Sequence, residues 1–390
     1  MTIKIGKAGG QNVFISGSVS SAAKWQLFGD TNFVPSGNRS LTLSGVIEDG
    51  SGTNKVTYGR VANTLGVTLS GAAANTYVGG TLVNIFSNTS NVNANKAGAS
   101  GTGLLTVNVG LVKLGANQSI NGLAGLAGSS VTGNNTNVAN QRELGINSAN
   151  NASYAGALGN IGTGENNLRL VKNGIGIQTL SGTSTYTGTT SASGGTLIAA
   201  STSALGTSAA GTTIASGATL DVQANIGIEA ISVEGAGVGS NGALVTGTGS
   251  GTVGGGVTLT NDAKVGGAGS LTIAGAIGGA FKVTKVGAGT TTLSGAQNYT
   301  TLATNEGVTN VSGAFTGGTA TVNANATTNF TVSQTLAALN IGTVPLAGLG
   351  AAPAFTGGGS AVVPEPGSMG LLLTGALGLL ARRRRARTMR

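Results

Sequence analysis

The sequence predicts an all-β protein, a parallel β-helix (β-solenoid) followed by a C-terminal transmembrane helix. Three observations predict it. Short runs alternating polar and apolar residues recur between glycines. Leucines in these runs are spaced by 22–24 residues. The chain ends in an apolar segment closed by arginines.

The composition favours strands and turns. Of 390 residues, 71 are Gly and only 8% are charged, while mean hydropathy is +0.23. A disordered chain would be less apolar and more charged. Val, Ile and Thr fit the pleated surface of a strand, and Gly and Asn supply turns. The glycines follow no three-residue period, which excludes collagen. The alternating runs are SLTLSGVI (40–47), GVTLSGA (66–72), GTLIAA (195–200), ATLDVQA (218–224), GVTLTND (256–262), SLTIAGAI (270–277) and TTTLSGA (290–296). Leu197 to Leu220 is 23 residues, Leu220 to Leu244 is 24 and Leu271 to Leu293 is 22. A repeat of this length built from short strands is the signature of a solenoid, in which each strand pairs with its equivalent one rung away.

Residues 172–188 (KNGIGIQTLSGTSTYTG) and 285–301 (KVGAGTTTLSGAQNYTT) align without gaps and agree at nine of seventeen positions. Lys172 with Lys285 and Tyr186 with Tyr299 carry most of the information, because the chain has only ten lysines and five tyrosines. A looser copy, LSGAAANTYVGGTL (69–82), places Tyr77 eight residues after Leu69. The pattern of Lys-x-Gly-x-Gly, Leu-Ser-Gly, Tyr-Thr-Gly and Gly-Gly-Thr-Leu resembles the autotransporter-associated β-strand repeat over about 169–197 and 282–311, and more weakly over 66–83. The resemblance implies the passenger-type right-handed β-helix of bacterial surface proteins. Between 84 and 165 the periodicity is poor and the solenoid is expected only by continuity.

The organisation expected is a solenoid body over 1–345, a Gly/Ala/Pro/Ser linker over 346–363 and a C-terminal signal over 364–390. That last stretch holds Pro364, Glu365 and Pro366, then a 15-residue apolar run over 367–381, then Arg382, Arg383, Arg384 and Arg385. As a helix, 15 residues rise about 22 Å. That is short of a hydrocarbon core of roughly 30 Å, so the run spans with thinning of the bilayer and snorkelling arginines. The arginines place this end in the cytoplasm. The tail resembles the PEP-CTERM sorting signal, and the resemblance implies processing by exosortase, a membrane enzyme of Gram-negative bacteria that typically make exopolysaccharide. It implies inner membrane as the precursor's location, then the outer surface or matrix. An exported chain needs an N-terminal signal, and only Val13-Phe14-Ile15 follows Lys4 and Lys7 as an apolar stretch. A misassigned start or a longer reading frame is expected.

Much chemistry is excluded or unsupported. With no Cys and no His there is no disulfide framework, no thiolate site and no Ser-His-Asp triad. The +9 net charge is largely the tail's: six of the twenty basic residues fall in the last nine, leaving 14 basic against 11 acidic residues upstream of Arg382. A nucleic-acid partner is therefore not expected. Gly249–Gly254 fits G-x-G-x-x-G, which is uninformative in so glycine-rich a chain. Catalytic, cofactor-binding and metal sites are expected to be none. Glu48-Asp49, or Asp221, Glu229 and Glu234 meeting across rungs, would be the acids of a polysaccharide-cleaving enzyme; the plainer reading is solvated turn charges. Tyr77, Tyr186 and Tyr299 could stack on sugars, but packing at rung corners is favoured. Lys172 and Lys285 are read as solvent-facing edge charges. The expected function is a non-enzymatic surface or matrix protein, structural or adhesive, with exopolysaccharide or other surface proteins as further partners. The alternatives are a glycan-cleaving β-helix and an uncleaved single-pass protein.

Overall fold

The computed structural model describes residues 2–5, 11–15, 19–35, 40–60, 66–85, 91–135, 137–160, 162, 164–342 and 361–362. They form a parallel β-solenoid. Its spine is one ladder that starts at Gln11–Ile15 and Thr31–Pro35 and runs through Ile177–Leu180 to Ala338–Ile341. Fifteen successive parallel pairings join its sixteen strands. At about 4.8 Å per step this ladder is roughly 70 Å long.

Two further faces complete the cross-section. A second face is built from Val19–Ser21 through Ala157–Leu158, and again from Ser250–Val253 through Ala326–Phe330. A third face starts with Thr2–Ile5, Lys24–Leu27 and Ile47–Asp49, and resumes from Gln118–Ile120 through Gln297–Asn298. Among the described residues the only helical turns are the 3-10 segments Val138–Asn140 and Val238–Ser240.

The alternating runs bury every second side chain, as a strand with one face on a core must. In Ser40–Leu43 and Ser270–Ile273 the two apolar residues are buried and the first residue is exposed. Leu197, Leu220 and Leu244 are register partners on successive rungs, as their spacing predicts. The 22-residue interval from Leu271 to Leu293 is not a rung. Leu271 pairs with Thr291 and Leu293 with Ile273, so the period there is 20. On the spine the offset runs from 18 residues (Val107 to Gly125) to 29 (Gly125 to Tyr154). Corners absorb the difference while the inward rows stay aligned.

Corners are where sequence is most constrained. In Leu-Ser-Gly and its relatives, the glycines at 255, 275, 295 and 313 stack in a column. A Cβ on Gly275, Gly295 or Gly313 would overlap the backbone carbonyl of the glycine one rung earlier. Buried amides replace missing ladder bonds elsewhere, at a corner for Asn75 and on the spine for Gln178. Asn75 accepts from Ile47 N at 2.9 Å and donates to Ala99 O at 2.7 Å. The Gln178 amide exchanges two bonds with the backbone of Leu123, at 3.0 and 2.9 Å.

Lys172 and Lys285 are fully buried, which corrects the reading of them as edge charges. Lys172 Nζ donates to the carbonyls of Asn173, Gly174 and Gly194 at 2.6, 2.9 and 3.1 Å. Lys285 Nζ donates to those of Val286, Gly287 and Glu306 at 3.0, 2.5 and 3.2 Å. Each ammonium thus uses three donors on three corner carbonyls, two of its own turn and one about a rung onward. The aligned segments share this corner but not its place: Lys172 ends a third-face strand and Leu180 lies on the spine, whereas Lys285 is the penultimate residue of a spine strand and Leu293 lies on the second face. The repeat is a corner module that has moved one face around the prism.

Two outcomes are expected from this packing. Leu293 is fully buried in an inward row, so Leu293→Asp, or Leu180→Asp on the spine, lowers unfolding free energy by about 4 kcal/mol or more. The exposed neighbour substitution Ser294→Asp changes it by less than about 0.5 kcal/mol. Urea titration of the three variants checks this; equal midpoints for Leu293→Asp and Ser294→Asp contradict the inward row.

The second outcome is a pH dependence. Burial lowers Lys96, Lys172 and Lys285 to about 8. The unfolded chain keeps its lysines protonated to higher pH, so between about 8 and 10 it binds more protons than the fold and stability rises with pH. Burial also pushes the Tyr77, Tyr154, Tyr186 and Tyr299 hydroxyls well up, so above the ordinary tyrosine range the unfolded chain ionises first and stability falls. The thermal midpoint is therefore higher at pH 9.5 than at pH 7, and Lys172→Met with Lys285→Met removes about two-thirds of the rise, since two of the three low lysines are gone. A flat or falling midpoint in the unsubstituted chain contradicts the assignment.

Candidate functional site

The body carries ten carboxylates, and each has a partner, most about one rung away. Asp30 accepts from Lys55 N at 2.8 Å, Asp221 from Gly247 N at 2.8 Å, Asp262 from Lys282 N at 2.9 Å and Glu306 from Gly287 N at 3.0 Å. Glu143 pairs with Arg169 at 2.7 Å and Glu165 with Lys113 at 2.8 Å. The acids bonded to backbone N–H groups staple successive turns by charge-assisted bonds, while Glu143–Arg169 is a cross-strand pair within the ladder and Glu165–Lys113 reaches further along the body.

Glu48 and Asp49 sit on Ile47–Asp49 and do not act together. Glu48 accepts from Gln26 Nε2 at 2.7 Å and pairs with Lys24 at 2.9 Å, and these bonds hold its carboxyl below the usual range. Asp49 binds Asn54 N and Val78 N, each at 3.0 Å, across the next corner. The structure does not bring Asp221, Glu229 and Glu234 into one constellation. Asp221 and Glu229 are buried, against the reading of both as solvated turn charges. Asp221 is held by Gly247 N and Gln223 Nε2, Glu229 by Thr212 Oγ1 at 2.8 Å, and Glu234 by Ser216 N and Thr260 Oγ1, with no shared partner. Burial raises the Glu229 carboxyl. Among the described residues, no three carboxylates lie together as a metal site would require.

The tyrosines are interior groups. All five are buried, so none offers a ring face to a sugar. Tyr77 and Tyr186 each close a hydrogen bond to the threonine four residues on, Thr81 at 2.5 Å and Thr190 at 2.6 Å, which pins the corner before the next strand. Sequence reasoning placed these rings at corners but had no signal for the Thr partner. It also missed the staple role of the acids, which only the rung register reveals. Gly249–Gly254 falls on Ser250–Val253, paired with Ser270–Ile273 and followed by no helix, so it forms no dinucleotide turn.

The remaining candidates are in the tail. Pro364, Glu365, Pro366, the apolar run 367–381 and Arg382–Arg385 lie outside the described residues, as does the N-terminal Lys7. Among the described residues no helix is long and apolar enough to cross a membrane. Within the stretch read as a linker, Ala361–Val362 forms a short strand against Thr335–Leu336.

No curated protein and no solved structure matches the chain. Residues 362–385 match the family model described as the PEP-CTERM protein-sorting motif. The chain is thus an exosortase-targeted exported protein, membrane-anchored before processing, that carries a β-solenoid body.

Proposed function

We propose that the protein is a non-enzymatic scaffold of the bacterial surface or extracellular matrix, delivered by removal of its tail. The observation that carries the reading is the joining of a sorting motif at 362–385 to a solenoid whose carboxylates all serve as rung staples. Such a body offers length and a repeating surface, with no free acid pair for glycan cleavage. The Lys-x-Gly-x-Gly corner shared by 172–188 and 285–301 supports kinship with autotransporter-associated repeats and their right-handed β-helices. Exopolysaccharide or other surface proteins are the partners such a scaffold would meet.

The tail works by geometry. The run 367–381 crosses the inner membrane, and Arg382–Arg385 hold its end in the cytoplasm. Pro364 and Pro366 prevent the helix from continuing outward and leave an extended segment. An extended segment offers a membrane-embedded protease carbonyls that a helix would hide. Glu365 lies between the prolines at headgroup level, and the short span keeps it there.

Replacing Pro364-Glu365-Pro366 by alanines leaves insertion intact and blocks processing, so full-length chain collects in the inner membrane. Replacing the four arginines scrambles topology instead. Mass spectrometry of surface-located protein, in a host with active exosortase, checks this: an intact Arg390 terminus there contradicts cleavage.

Incubation with pectins, alginates and glucans is expected to release no reducing ends and no unsaturated uronates. Release that disappears with Glu48→Gln and Asp49→Asn, or with Asp221→Asn, would establish an enzyme instead.

A further inference from the structure

The last rung of the solenoid ends in a reversal. Third-face pairing runs parallel up to its final strand: Gln297 bridges Phe315, Thr316 bridges Thr335, and Gly317 N donates to Thr335 O at 2.8 Å. The outer edge of Thr335–Leu336 is then taken by Ala361–Val362, running antiparallel, with Thr335 opposite Val362 and Leu336 opposite Ala361. It is the one antiparallel pairing among the described strands. An uncovered edge strand is a template for further pairing, and a strand of opposite direction closes it to another parallel rung. Val362 is also the first residue of the matched sorting motif, and a single residue separates it from Pro364. Pro364 has no N–H, so the pairing cannot run on into Pro-Glu-Pro.

We infer that Ala361–Val362 is the C-terminal cap of the solenoid, and that this contact must peel away before the sorting motif can be processed. The inference rests on the sorting reading above. A protease engages the backbone of its substrate on both sides of the cut, as an added strand. Here the backbone just upstream of Pro364 is already paired to the body, and the folded rungs stand beside it. The cap therefore couples processing to the state of the last rung.

The chain has no cysteine, so a disulfide can be placed without side reactions. Thr335 and Val362 are directly opposed in an antiparallel pair, a separation of about 4.5–5.5 Å that a disulfide spans. The full-length Thr335→Cys, Val362→Cys chain is expected to form this disulfide on oxidation. In a host with active exosortase, the oxidised chain should stay unprocessed, with Arg390 still present, at least ten-fold more than the single variant Thr335→Cys. Reduction should restore processing. Processing of the locked chain at the single-variant rate would overturn the coupling, and failure of the two cysteines to join would overturn the cap. If the unsubstituted chain is itself not processed, the sorting reading fails, while formation of the disulfide still reports on the cap.

Discussion

Everything in this molecule depends on backbone hydrogen bonds that run along the long axis, from each rung to the next. A strand of three to five residues is too short to be stable alone, and here each has a parallel partner on one or both sides. The ladder is continuous only along the faces. At every corner the chain leaves the strand geometry, and its N–H and C=O groups need other partners. The buried lysines, the Asn75 amide and the acids bonded to backbone N–H groups all serve that one need. The glycine column serves it differently, by letting carbonyls approach where a Cβ would collide.

The parts set by period-2 alternation could be read from the sequence. Ser40–Leu43, Ser270–Ile273 and Thr290–Leu293 stand out as alternating runs, and Leu197, Leu220 and Leu244 give their true register from spacing alone. Register was not legible where rungs change length. Leu271 and Leu293 are nearly a rung apart in number but sit in different rows, because Thr291 takes the inward place opposite Leu271. The stretch from 84 to 165 hid its strands partly because polar groups are buried there: Gln118 and Ser129 lie in the interior where an apolar residue would have marked a row. Lys172 and Lys285 were misread for a related reason. A lysine at a turn normally faces water, and only the three-dimensional corner shows three carbonyls converging on its nitrogen. In the tail, the order Pro-Glu-Pro, apolar run and arginines was legible because membrane chemistry imposes it on sequence directly.

Body and tail obey different solvents. Upstream of Arg382 there are 14 basic against 11 acidic residues, so the body carries a small net charge and the high pI belongs largely to the last nine residues. The tail's charges are arranged for a bilayer, and removing them leaves a nearly neutral rod. A weakly charged rod is suited to dense surroundings, where long-range repulsion would hinder close packing.

The direction of the ladder also fixes how the rod bears load. A pull applied at the end nearest the membrane acts along the inter-rung bonds, so it opens them a few at a time instead of shearing a whole sheet at once. Because each rung touches only its neighbours, the opening stops wherever the tension drops, and the lost turns can wind back onto the remaining template. Under axial load such a rod yields from its terminal turns, each step releasing the contour of one rung while the turns behind it keep their ladder.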